Sequence, residues 1–262
     1  MPLDIDRFSH IESTIQRWDP RVKIASLAIL IFGVALLKTL PMSVAALVMA
    51  FILMTISALP YHFVMHSMQW VILFLLPFFL ILPFSYPGAA DNHLLGLSFT
   101  WEGLRLATLI FVKALAIVLT SFALFGSARF DISMIALQRL KCPPMLIQML
   151  LFTYRYTYTL LEEMRRMNTS MKARGFVPGT NGNTLRTYGN FVGTLLVRSF
   201  ERTERIYKAM LSKGYRGEFH TLVTFRSGIT DYVKAVIVLI VAAGLVVTDF
   251  SGHFSVATDG WY

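Results

Sequence analysis

The chain has 262 residues, 55% of them hydrophobic, with a mean hydropathy of +0.60 and a formal net charge of +9. That is more apolar side chain than a soluble globule of this size can use, so the composition excludes a wholly water-soluble chain and describes an integral membrane protein. The charge is concentrated: residues 126–230 hold 16 of the 24 Lys and Arg against six carboxylates, Asp131, Glu162, Glu163, Glu201, Glu204 and Glu218.

In chain order, residues 1–18 are polar with scattered aromatics and lack the short apolar core and small-residue cleavage site of a cleaved signal peptide. Asp19 followed by Pro20 is a helix start, a capping carboxylate and then proline at the first helical position. The first span is expected over about Val22 to Leu37, and the second, after a tight turn at Lys38–Pro41, over Met42 to Leu59. A link from Pro60 to His66 leads to a third span, Met68 to Phe84, in which Pro77 and Pro83 predict kinks. Pro87, Gly88, Asp91 and Asn92 signal a loop running to Thr100 without Lys or Arg. The fourth span, Leu104 to Phe125, contains Lys113, a cation that must face protein or snorkel rather than meet lipid.

Arg17, Arg21 and Lys23 precede the first span, whereas the loop after the third is free of cations, so the positive-inside rule puts the N-terminus in the cytoplasm. Four crossings then return the chain to that side where the basic segment begins. A fifth, over Val233 to Val247, carries it outward and leaves residues 248–262 as an external tail without Lys or Arg.

The fold class is therefore all-α, with about five transmembrane helices and a cytoplasmic helical domain inserted before the last. Residues 1–125 hold the N-terminal segment and spans one to four, 126–230 the basic domain, and 231–262 the last span and tail. A segment this basic suits anionic lipid headgroups or an acidic protein partner, and nucleic acid ranks last because the segment lies between spans. The single cysteine, Cys142, excludes an internal disulfide and a multi-cysteine metal site.

Within the basic domain three helices are expected: Asp131 to Leu140 behind a capping aspartate, a long one of about 30 residues, roughly 45 Å, from Pro143-Pro144 to Arg174, and one from Leu185 to Lys213. In the long helix Leu146, Leu150, Thr153, Thr157, Leu160, Met164, Met167 and Met171 share a stripe, read as a packing face and as a polarizable surface able to repack against a partner. Glu201 with Arg205 and Glu204 with Lys208 have the spacing of exposed ion pairs.

One stretch occurs twice. Shifted by 39 residues, Arg166-Met-Asn-Thr-Ser-Met-Lys-Ala-Arg-Gly-Phe176 lies over Arg205-Ile-Tyr-Lys-Ala-Met-Leu-Ser-Lys-Gly-Tyr215. Arginine (Arg166, Arg205), methionine (Met171, Met210), a small residue (Ala173, Ser212), a cation (Arg174, Lys213), glycine (Gly175, Gly214) and an aromatic (Phe176, Tyr215) coincide. Each copy closes a helical pattern with a glycine suited to the left-handed conformation that stops a helix. A cation before such a glycine is also ordinary capping chemistry; the doubling with the flanks in register is not.

These tips resemble the paired Ala-Arg-Gly motifs of the transmembrane T component of energy-coupling factor (ECF) transporters, in particular the cobalt-type, CbiQ-like branch. Ala173-Arg174-Gly175 matches the motif, Ser212-Lys213-Gly214 departs from it, and Asp19-Pro20-Arg21-Val22-Lys23 is similar to the segment that introduces the family's first helix. The resemblance implies a non-catalytic scaffold in a bacterial or archaeal cytoplasmic membrane. Its two tips dock on two ATPase subunits, and their closure is passed to a substrate-binding membrane S component importing cobalt, nickel or biotin. Arg166, Met171, Phe176, Arg205, Met210 and Tyr215 would support the tips.

The chemistry absent from the sequence agrees with such a role. No G-x-x-x-x-G-K-[ST] loop is present to cradle phosphates, so ATP and magnesium are expected on partner chains and no cofactor on this one. The histidines are scattered, and His62 and His66, four apart, lack the intervening glutamate of a zinc-protease motif. A membrane-bound enzyme acting on anionic lipid is the competing class; it needs clustered interfacial carboxylates, whereas here acids alternate with bases along helices. A channel or secondary carrier would favour paired polar groups within the spans.

Overall fold

The computed structural model describes residues 15, 16, 18–85, 92–94, 97–217, 225 and 228–258. The expectations on residues 1–14, Arg17, Pro87, Gly88, Asp91, Glu218, His220 and the tail from 259 lie outside them, as do the side chains of His93 and His253.

Among the described residues eight helices carry the chain: α1 (Pro20–Leu36), α2 (Leu40–Ile56), α3 (Tyr61–Ser85), α4 (Trp101–Phe125), α5 (Phe130–Arg139), α6 (Pro144–Ala173), α7 (Gly182–Ser212) and α8 (Ile229–Thr258). The expected loop before α4 contains a small ladder in which β1 (Asn92–Leu94) pairs antiparallel with β2 (Leu97–Phe99). The chain divides into two compact units, one built on Leu137–Thr224 and the other on Asp4–Ala136 with Phe225–Tyr262.

In the second unit, Tyr61–Ser85, Trp101–Phe125 and Ile229–Ser251 are each long and apolar enough to cross a bilayer. Of the five expected crossings, these three meet the requirement by length and composition. Helix α2 is apolar but has 17 residues, about 25 Å against a hydrocarbon core of roughly 30 Å, and α1, also 17, carries Arg21 and Lys23 in its first turn.

Helix α2 packs on α4, α1 on α8 and α4, and α3 on α4. The core mixes Leu27, Leu30, Leu53 and Leu119 with small residues such as Ala46, Ala116, Ala123 and Ala242. Small side chains let helix backbones approach where lipid offers no hydrophobic drive to associate. Gly103 is the tightest such approach: a Cβ there would stand 2.6 Å from the Leu82 carbonyl oxygen and 2.8 Å from the Pro83 Cα, so α3 and α4 could not cross as they do.

The charges of this unit are spent on helix ends. Lys113 of α4 faces protein, its Nζ donating to the carbonyls of Ala35 and Leu37 at 2.6 and 2.7 Å, where α1 leaves its last acceptors unpaired. Reciprocally, buried Lys23 of α1 donates to Ser127 Oγ at 3.0 Å, just past the C-terminal end of α4. Asp249 of α8 does the opposite work, accepting from the backbone amides of Lys38 and Thr39 at 2.8 and 2.9 Å, the free donors at the start of α2.

The Asp19 reading holds. Its carboxylate caps α1 through the Arg21 amide at 3.0 Å and pairs with the Arg21 guanidinium at 2.8 Å. Burial pushes that carboxyl up, but the hydrogen bonds and charge of Arg21 outweigh it and hold it below the usual carboxylate range. Trp18 ties the same corner to the start of α8 by donating its Nε1 hydrogen to the Asp231 carbonyl at 3.1 Å.

Several boundaries differ from expectation: α4, α7 and α8 start earlier, at Trp101, Gly182 and Ile229 against Leu104, Leu185 and Val233. Helix α3 begins at Tyr61, not near Met68, because His62 and His66 are exposed and cost the helix nothing. Asp131 is not a cap but lies inside the first turn of α5, paired with Arg129 at 3.0 Å. Helix α8 runs through Thr248 and Asp249 to Thr258 instead of yielding to a tail at 248, since Thr248 Oγ1 bonds the Gly244 carbonyl and Asp249 has its partners on the α1–α2 turn.

Candidate functional site: two capped helix tips

The site belongs to the unit built on Leu137–Thr224. Helices α6 and α7 have 30 and 31 residues, so each is about 45 Å long. Proline at the first position starts α6, and the expected C-terminal ends are where the sequence put them.

Both ends close by the same hydrogen-bond pattern. At the first, Gly175 N–H donates to the Lys172 carbonyl at 3.0 Å and Phe176 N–H to the Met171 carbonyl at 3.1 Å; at the second, Gly214 donates to Leu211 at 2.9 Å and Tyr215 to Met210 at 3.0 Å. This is the Schellman motif, and it explains the repeat: methionine, cation, glycine and aromatic occupy the third-last helical, cap, post-cap and following positions. Both glycines have φ of 81°, and an added Cβ would meet nothing within 4 Å at either. Glycine is needed for its dihedral, not for space.

The same pattern sorts exposure. Ala173, Arg174, Gly175, Ser212, Lys213 and Gly214 are exposed, whereas Met171, Phe176, Met210 and Tyr215 are half-buried beneath them. Each tip is a solvated cation on an apolar footing. The footings differ: Phe176 meets Tyr188 of α7 edge-on, ring centroids 5.6 Å apart, while the Tyr215 hydroxyl donates to Gln148 Oε1 of α6 at 2.6 Å.

The supporting residues are placed unevenly. Exposed Arg166 pairs with Glu162 at 2.5 Å, a hydrogen bond that raises the guanidinium further above its ordinary range. Arg198 of α7 pairs with Glu163 of α6, joining the two helices. Lys208 pairs with Glu204 at 2.7 Å as its spacing predicts. Arg205 and Glu201 do not pair; both line a cleft of about 280 Å³ that also holds Arg198 and Arg202.

A second cleft, of about 510 Å³, lies between α6 and α7 and brings Arg166, Arg174 and Arg198 together over Met167 and Phe191, with Glu163 as its one lining carboxylate. Arg166 and Arg198 are paired with Glu162 and Glu163, so Arg174 is the lining guanidinium best placed to hold a carboxylate or phosphate in a bidentate grip. The methionine stripe falls only partly on the α6 packing face: Leu160, Met167 and Met171 are half-buried, but Leu146, Leu150 and Met164 are 55%, 41% and 39% exposed. Of the two threonines of the stripe Thr157 is half-buried and Thr153 exposed, and the stacked rings of Phe152 and Tyr156, one position before them, are half-buried as well.

Gln148 was not picked out in the sequence, although a lone amide inside the apolar run Met145–Phe152 was the available signal. Among the described residues no group of three or more His, Cys, Asp or Glu side chains is placed to hold a metal ion.

The sequence profile described as cobalt transport protein (CbiQ) matches residues 12–223. An uncharacterized protein of Methanocaldococcus jannaschii is 25% identical over 254 residues, covering 93% of this chain and 86% of its own. The energy-coupling factor transporter transmembrane protein EcfT of Heliobacterium modesticaldum is 24% identical over 227 residues, 82% of this chain and 85% of its own. The cobalt transport protein CbiQ of Rhodobacter capsulatus is 31% identical over 107 residues, 41% of this chain and 43% of its own.

Proposed function

The chain belongs to the CbiQ cobalt transport protein family, and from that premise we propose that it is the transmembrane T component of an ECF-type importer. In this reading the chain is a scaffold without catalysis of its own. Its two tips, Ala173-Arg174-Gly175 and Ser212-Lys213-Gly214, dock on two ATPase chains that bind and hydrolyse ATP with magnesium. Helices α6 and α7 pass their closure to a membrane S component, and cobalt is the cargo.

The observation that carries the reading is the pair of exposed cations, each fixed by an identical cap at the end of a helix of 30 or 31 residues. A helix of that length transmits a displacement that a loop would absorb. Relatives named energy-coupling factor transporter transmembrane protein support it across more than four-fifths of the chain. Three of the carboxylates that the lipid-enzyme alternative would draw on, Glu162, Glu163 and Glu204, are each committed to a cation.

In this reading the membrane is the cytoplasmic membrane, with the N-terminus and the basic domain of residues 126–230 on the cytoplasmic side and the C-terminus outside, an orientation that the distribution of Lys and Arg supports. The test is copurification in mild detergent from the native host. Two ATPase chains retained with this one, and no ATP hydrolysis once they are stripped away, is the expected result. Hydrolysis persisting in the isolated polypeptide overturns the scaffold reading.

A further inference from the structure

Gln148 is 8% exposed and sits beside Ile147 at 1%, in a stretch of α6 where Met145, Leu146, Met149 and Leu150 are 66%, 55%, 53% and 41% exposed. A buried amide needs its hydrogen bonds satisfied within the protein. Both of its ends are used: Oε1 accepts from the Tyr215 hydroxyl at 2.6 Å and Nε2 donates to the Gly217 carbonyl at 2.8 Å. Those two partners bracket the segment that leaves α7. Gly214 and Gly217, with φ of 81° and 92°, turn it back so that residues 215 and 217 both reach one side chain.

We propose that Gln148 and Tyr215 form a latch that fixes the direction in which α7 presents Lys213, making them positioning residues for the second tip. The proposal rests on the reading of Lys213 as a docking cation. Tyr215 stands two residues beyond Lys213, and the intervening Gly214 is locked by the cap, so holding the ring holds the cation's base. Phenylalanine at this position would keep the cap and the footing but not the latch. Phe176 at the first tip does that, resting on Tyr188 through ring contact.

Spin labels at Met145 and Leu211, both exposed, read the latch in the full chain in nanodiscs in a Cys142→Ser background. The native pair should give one narrow distance, and Tyr215→Phe or Gln148→Leu should broaden it. The double variant should broaden it no further than the worse single one, since both remove the same bond. An unchanged distribution in Tyr215→Phe, or additive broadening in the double variant, overturns the latch.

The second readout is retention of the copurifying ATPase chains, where Tyr215→Phe should lower affinity about tenfold, equivalent to about 1.4 kcal/mol. If Lys213→Ala lowers retention while Tyr215→Phe broadens the distance and leaves retention intact, the positioning role is wrong and the docking reading stands. If Lys213→Ala itself leaves retention intact, the docking reading of the second tip fails, and the positioning role with it.

Discussion

The two tips have one backbone and two anchorages. Residues 171–176 and 210–215 share only methionine and glycine as identities, yet both close with the same pair of hydrogen bonds and the same glycine dihedral. What differs is the cation and the aromatic inside the repeat and the partners they meet outside it. The first tip carries an arginine that lines a cleft with Arg166 and Arg198 and rests on an aromatic ring; the second carries a lysine and is tied by hydrogen bonds to the root of α6. A short repeat thus encodes the cap, and single residues elsewhere on the partner helix encode what each cap is fastened to.

The largest effect expected from that difference is at Arg174. A planar guanidinium grips a carboxylate with two hydrogen bonds, and breaking such a pair at an interface costs on the order of 2 to 5 kcal/mol. Arg174→Glu should therefore abolish uptake and lose the ATPase chains while membrane insertion stays normal; Lys213→Ala should give a partial defect that deepens with salt. Near-normal uptake and retention by Arg174→Glu would reduce the first tip to a helix cap.

Exchanging the head groups sharpens the contrast at smaller scale. Arg174→Lys keeps the charge and forfeits the fork, whereas Lys213→Arg adds a fork where the docking reading calls only for charge. Retention should fall about tenfold or more in the first variant and change little in the second. Equal losses would mean that both docking contacts depend on shape, or that neither does.

The caps were legible in the sequence because everything that makes them lies within six residues: methionine, cation, glycine and aromatic at fixed offsets from a helix end. The helices were legible for the same reason, as was the Asp19 cap, which needs only Arg21. What could not be read is set by distant partners. Asp249 keeps α8 helical past Val247 while bonding Lys38 and Thr39, and Gln148 is buried by residues 67 and 69 positions away. Asp131 was misread as a cap because α5 begins one residue earlier, at Phe130, which puts Asp131 within the first turn, where it pairs with Arg129. The Glu201 and Arg205 spacing permitted a pair, but the cleft they line offers other surroundings.

The glycines should respond alike, which tests the half of the comparison that claims identity. Neither has a neighbour that a Cβ would strike, so Gly175→Ala and Gly214→Ala cost only the left-handed dihedral, about 1 to 2 kcal/mol each. Amide exchange at Phe176 and Tyr215 should quicken by a similar factor in the two variants, roughly 5- to 30-fold. A large disparity would show that one cap is held by its anchorage rather than by its own hydrogen bonds.

The smallest expected effect concerns the anchorage of the first tip alone. Phe176 and Tyr188 meet edge-on at an interplanar angle of 85° with centroids 5.6 Å apart, a geometry worth about 0.5 to 1.5 kcal/mol beyond the area it buries. Phe176→Leu keeps an apolar side chain at the cap position and removes the ring, so Phe176→Leu and Tyr188→Leu should each loosen the first tip modestly, and the pair together no more than their coupling allows. Because Tyr188 lies in the second turn of α7 and Phe176 follows α6, the loosening should appear in exchange of amides 175–177 and leave Tyr215 unchanged. Phe176→Tyr should not restore a hydrogen-bonded anchorage, since Gln148 is bonded at the other tip. If either leucine variant quickened exchange at Tyr215 as well, the two tips would not be fastened separately, and their difference in head group would have to be read as one coupled device.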